Sequence, residues 1–158
     1  MPVYITNRMY LPRDGVERVL EYIGGAEPLD FNAVQPMPRD LTGQEGRDWR
    51  SAFWGTEENA VHAERMGNIL TFQTADTPPL GWLKEVSKQF PQYEFTLDWF
   101  YDDLPEWYQC VVRGGTVQYI KGNIGKIQKR RLIHTQLALV FVVYYSFSFG
   151  CSVEVSSG

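Results

Sequence analysis

Glu57, Glu58, His62 and Glu64 lie within the stretch FWGTEENAVHAE (53–64), the densest set of groups in this chain that could hold a metal or relay a proton. On a helix, Glu58 and His62 would share a face at i, i+4, and a carboxylate with an imidazole can ligate zinc or act as an acid–base pair. On a strand, His62 and Glu64 share a face while Glu57 and Glu58 stay in the turn, and a third ligand is then missing. The chain has only two histidines and no H-E-x-x-H spacing, so the stretch is expected to be a bend rather than a metal or catalytic site. Trp54-Gly55-Thr56 has a structural account: Gly55 permits the turn, Thr56 can bond a nearby amide, and Trp54 packs while its indole N–H finds an acceptor. Cys110 sits in a strand-like pattern with no histidine near it in sequence, and the G-x-S-x-G, P-loop and GxGxxG patterns are absent. No catalytic residue, metal or cofactor is therefore expected, and the chain reads as non-enzymatic.

Binding chemistry has more support. DWFYDDLPEW (98–107) sets Asp98, Phe100, Asp102, Asp103, Glu106 and Trp107 together. With Glu57 and Glu58, these residues are the expected partner-binding set, since an aromatic anchor flanked by carboxylates suits a basic protein surface. The charge distribution agrees. Residues 1–112 carry 18 acidic and 9 basic side chains, net −9, and residues 113–158 carry 6 basic and 1 acidic, net +5. The alternative is nucleic acid, held by Lys121, Lys126, Lys129, Arg130 and Arg131, with Tyr4, Tyr10 or Phe100 on an open sheet face for base stacking. The acidic body opposes that alternative by repelling phosphates.

Periodicity supplies the elements that would position these groups. VYITNRMYL (3–11) alternates Val3, Ile5 and Met9 against Tyr4, Thr6 and Arg8, a strand with one buried face. RDGVERVLEYIGG places Val16, Val19, Leu20 and Ile23 at helical spacing, with Asp14 as N-cap and Gly24-Gly25 as the stop. The prolines at 28, 36 and 38 predict an ordered loop without a helix. Residues 47–54 predict a short helix burying Trp49 and Phe53, and AVHAERMGNILTFQTA a hairpin around Met66-Gly67-Asn68. TPPLGWLKEVSKQF predicts a helix with Leu80, Leu83, Val86 and Phe90 on one face, anchored to the sheet by Trp82. QYEFTLDWFYDD reads as an aromatic strand, and EWYQCVVRGGTVQYIKG as a hairpin turning at Gly114-Gly115.

The order strand, helix, strand, strand, helix, strand predicts an α+β fold: a split βαβ arrangement with two helices on one face of an antiparallel sheet. At 158 residues the chain is the size of one domain with an appendage. We expect a domain over 1–118 and, over 119–158, a basic then apolar β-rich C-terminal extension packed on the domain or on a second copy. The two lone cysteines and the absence of a signal-peptide pattern favour a reducing cytoplasm. LALVFVVYYSFSFGC (137–151) is short for a bilayer span and fits a buried strand or hairpin better than an anchor. Homodimerisation through 137–149 would cover an edge that otherwise aggregates.

Several phrases together carry a resemblance: LDFNAVQPMPRDL (29–41), FWGTEENA (53–60), LTFQTADTPPLGWLKEVSKQFP (70–91) and the following YEFTLDWF. In that order they resemble the YubB ferredoxin-like family of phage- and plasmid-borne proteins, over about residues 3–118. The resemblance implies a ferredoxin-like fold without an iron–sulfur cluster and a mobile-element origin in a bacterial cytoplasm. Glu57-Glu58 departs from the family's W-G-T-x-x-N-A turn, where an aromatic is usual, and the chain beyond about Gln118 matches nothing in the family. The expected role is that of an interaction protein whose acidic surface binds a basic, nucleic-acid-handling host protein, as an inhibitor of a defence system such as CRISPR would.

Overall fold

The computed structural model divides the chain into two compact units, Met1–Asn123 and Ile124–Gly158, and describes residues 1–101, 104 and 106–123. The first unit is a mixed α+β structure with a six-stranded antiparallel sheet. Its elements run β1 (Tyr4–Tyr10), α1 (Val16–Ile23), α2 (Phe31–Val34), α3 (Gly43–Phe53), β2 (Val61–Met66), β3 (Ile69–Ala75), α4 (Leu80–Gln89), β4 (Phe95–Phe100), β5 (Glu106–Arg113) and β6 (Thr116–Asn123). Across the sheet the order is β2-β3-β1-β4-β5-β6, every neighbouring pair antiparallel.

Alternation along the strands creates two unlike faces. Ile5 and Met9 of β1, Leu70 and Phe72 of β3, Phe95, Leu97 and Trp99 of β4, and Cys110 and Val112 of β5 point to one side. There they form a single core with Val19, Ile23, Phe31, Trp54, Trp82, Leu83 and Val86 from the helical layer. Tyr4, Thr6, Arg8, Tyr10, Thr96, Asp98, Phe100, Trp107 and Gln109 fall on the other side by the same register. Burial of Trp54 and Trp82, exposed at 1% and 0%, makes the helical layer strongly aromatic. Phe31 joins them at ring distances of 5.6 Å to Trp54 and 4.9 Å to Trp82.

Four elements depart from the sequence reading. The 28–42 segment is not helix-free: α2 forms because Asp30 caps it, its carboxylate accepting the Asn32 amide at 2.9 Å. Helix α3 begins at Gly43 rather than 47 and leaves Phe53 49% exposed instead of buried; with α2, the described residues hold four helices and not two. The N-cap of α1 is Gly15, not Asp14, and Gly24 ends that helix in extended backbone, not in a left-handed turn. Val3 is 52% exposed, and Asn7 takes the buried place in the β1 alternation between Ile5 and Met9. The β2–β3 hairpin and the β5–β6 turn stand where periodicity placed them, with Gly114 and Gly115 at φ 54° and 83°.

Candidate functional site

Residues 53–60 fasten three layers together. Gly55 adopts φ 90°, which a side chain would strain, and turns the chain from α3 toward β2. The Trp54 indole donates to the Gln35 carbonyl at 3.0 Å, and the buried Thr56 hydroxyl donates to the Ala75 carbonyl at 2.8 Å. Asn59 completes the clasp. Its Oδ1 accepts the amides of Phe31 and Ala60, each at 2.9 Å, and its Nδ2 donates to Asp30 Oδ1 at 2.7 Å. Arg50 reaches forward from α3 to donate to the Glu57 carbonyl. This phrase is spent on holding the α2 cap, the end of α3 and the β3–α4 junction in register.

The acidic members of that stretch separate in space. Glu57 is exposed. Glu58 accepts the Tyr4 hydroxyl at 2.6 Å, and this bond, followed by partial burial and the charges of Glu58 and Asp76, raises the Tyr4 pKa. Asp76 stands beside the same strand end, accepting the Val3 amide at 2.9 Å and returning its own amide to the Val3 carbonyl at 2.7 Å. Tyr4, at 37% exposure, and Val3 are thus flanked by Glu58 and Asp76 at one corner of the unit. His62 belongs elsewhere: it is exposed, has φ 51° and sits in the irregularity where β2 shifts register against β3. Glu64 pairs opposite Thr71 on β3. Among the described residues no three His, Cys, Asp or Glu side chains converge as a metal site would require.

The 98–107 ribbon does not lie on the surface as one patch. Asp98 is wholly buried, hydrogen-bonded by Gln109 Nε2 at 2.7 Å and Tyr10 Oη at 3.2 Å, so it is not an exposed carboxylate for a partner. Burial raises its pKa to about 6, against the opposing pull of Gln109, Tyr10 and Arg8. Burial, with the Asp98 charge, also holds the Tyr10 hydroxyl well above its ordinary value. Phe100 is half-buried with the Arg8 guanidinium 5.4 Å from its ring centroid, and Trp107 is half-buried opposite it on β5. Tyr4, Tyr10 and Phe100 do share the sheet face opposite the core. Glu106 opens β5, while Asp102 and Asp103 lie outside the described residues. Lys121 stands in β6 opposite Tyr108. Lys126, Lys129, Arg130, Arg131 and the apolar run 137–149 lie outside the described residues.

Sequence reasoning missed Asp76 as a member of the acidic corner. Its signal was the TADTPP step before a proline-started helix, since Asp is among the few residues enriched at positive φ, here 60°. Comparison with protein-family models, characterised proteins and solved structures finds no match for the chain. No helix among the described residues is long and apolar enough to cross a membrane.

Proposed function

We propose that this is a non-enzymatic interaction protein that binds a basic protein surface through the corner formed by Tyr4, Glu58 and Asp76, together with the exposed Glu57. The observation that carries the reading is the placement of two carboxylates, Glu58 and Asp76, against an exposed tyrosine and valine, on a unit whose residues 1–123 hold 18 acidic and 11 basic side chains, net −7. Aromatic anchors rimmed by charge of one sign give contact area and steer association toward the opposite sign. The Tyr4–Glu58 bond holds both side chains in place before a partner arrives, which lowers the ordering cost of binding.

In the same proposal, β1 to β4 with α1 and α4 are a ferredoxin-like split βαβ unit, extended at one edge by the β5–β6 hairpin. The order β2-β3-β1-β4 with antiparallel neighbours supports this. The ordered phrases from 29 to 100 support kinship with the YubB family. That kinship would place the protein in a bacterial cytoplasm as a phage or plasmid product acting on a nucleic-acid-handling host protein, for instance one of a defence system such as CRISPR.

Affinity capture from host lysate at low salt tests the reading. A stoichiometric basic protein is expected, released as salt rises and lost with Glu58→Lys/Asp76→Lys; recovery of no such protein, or of nucleic acid alone, refutes it.

A further inference from the structure

The face of the sheet opposite the core holds a carboxyl group away from water at its centre. Asp98 stands opposite Arg8 of β1 on one side and Gln109 of β5 on the other, and the three are exposed at 0%, 5% and 7%. Both hydrogen bonds given to the carboxyl come from uncharged donors, the Gln109 amide and the Tyr10 hydroxyl. The Arg8 guanidinium is directed over the Phe100 ring and lies beside the Tyr10 hydroxyl. Among the described residues, the titratable or charged groups around Asp98 are therefore Arg8 and Tyr10 from β1 and Cys110 from β5. Burial and the Asp98 charge push the Cys110 thiol up to about 12, so it stays neutral.

Two effects compete at this carboxyl. Loss of hydration disfavours the ion, and two neutral donors with one nearby cation favour it. The first dominates, since neutral donors restore only part of the hydration that a carboxylate gives up and the Arg8 guanidinium acts on Asp98 through its charge, more weakly than burial or either donor.

We propose that Asp98 is a proton-operated brace between β1, β4 and β5: protonated, it ties Tyr10 to Gln109 at little cost, and ionised, it weakens the centre of the sheet. The sign follows from linkage. The native state holds this proton more tightly than the unfolded chain, so the stabilisation is fully present below about pH 4 and is lost as pH rises through about 6. The raised value, about 6 against 3.8, corresponds to roughly a hundredfold change in the folding equilibrium. The sheet is thus firmer in mild acid than at neutral pH, the reverse of what paired surface carboxylates produce.

The test is a carbon-detected NMR titration of the Asp98 carboxyl in the full chain, with urea unfolding of wild type and Asp98→Asn between pH 4.5 and 7.5. A midpoint near 6 is expected, together with a fall in wild-type stability across that range, relative to Asp98→Asn, of about twenty-five-fold in the folding constant. A midpoint at or below 4, or parallel curves for the two proteins, overturns the proposal. Should Asp98→Asn fail to fold, Gln109→Leu decides: loss of a donor to the ion moves the midpoint upward, and an unchanged or lower midpoint refutes the brace.

Discussion

The amide of Trp82 donates to the carbonyl of Trp54 at 3.1 Å, tying the first turn of α4 to the C-cap residue of α3. For this bond to form, the two backbones must approach more closely than side chains allow, and Gly81 makes room. A Cβ there would run into the Phe53 carbonyl. Gly81→Ala is therefore expected to cost about 2–3 kcal/mol, as overpacking against immovable backbone does. Thermal unfolding would show a clear drop in Tm, and a variant as stable as wild type would contradict the contact.

Asn59 carries three hydrogen bonds in one clasp. Asn59→Ala leaves the Phe31 and Ala60 amides without their acceptor and should destabilise by about 2–4 kcal/mol. Asn59→Asp keeps that acceptor but sets a carboxylate against Asp30, which already caps α2. Its loss should therefore shrink toward low pH, as protonation relieves the repulsion, and chemical denaturation at pH 4 and pH 7 reads the difference.

Cys110 is fully buried with its thiol pushed up to about 12 by burial and the Asp98 charge. In a Cys151→Ser background, the native protein should resist a thiol reagent at pH 8 and react only once denaturant is added. Rapid labelling of native protein would place Cys110 at the surface.

Glu57 is exposed, whereas Glu58 has a partner in Tyr4. Glu57→Lys should leave Tm within about 1 °C of wild type, a surface change worth less than 0.5 kcal/mol, yet weaken capture of a basic partner several-fold at low salt. Tyr4→Phe keeps the ring and removes the bond to Glu58, so its smaller effect on capture would separate anchoring from positioning. Equal capture by Glu57→Lys would exclude Glu57 from the contact.

Strands and hairpins were largely legible because period-2 alternation and glycine turns act locally. VYITNRMYL, ILTFQTA and EWYQCVVRGGTVQYIKG each declare themselves without help from distant residues. The helix over Phe31–Val34 was not legible, since its proline-rich surroundings argue for extended backbone, and what holds it is an Asp30 cap reinforced by Asn59 from far along the chain. The acidic ribbon misled for a related reason. Asp98 looks like a member of an exposed acidic run, but its strand position points it at Gln109, which joins it only through β4–β5 pairing.

By itself, the sequence determined the order of the strands with α1 and α4, the two hairpins, the aromatic character of the core and the reading of FWGTEENA as a turn, because each follows from local pattern and backbone chemistry. Only the tertiary structure decided which carboxylates meet water and which do not. It drew Glu58 and Asp76 to Tyr4 and closed the sheet over Asp98, because burial depends on residues that are neighbours in space across strand ladders and not along the chain.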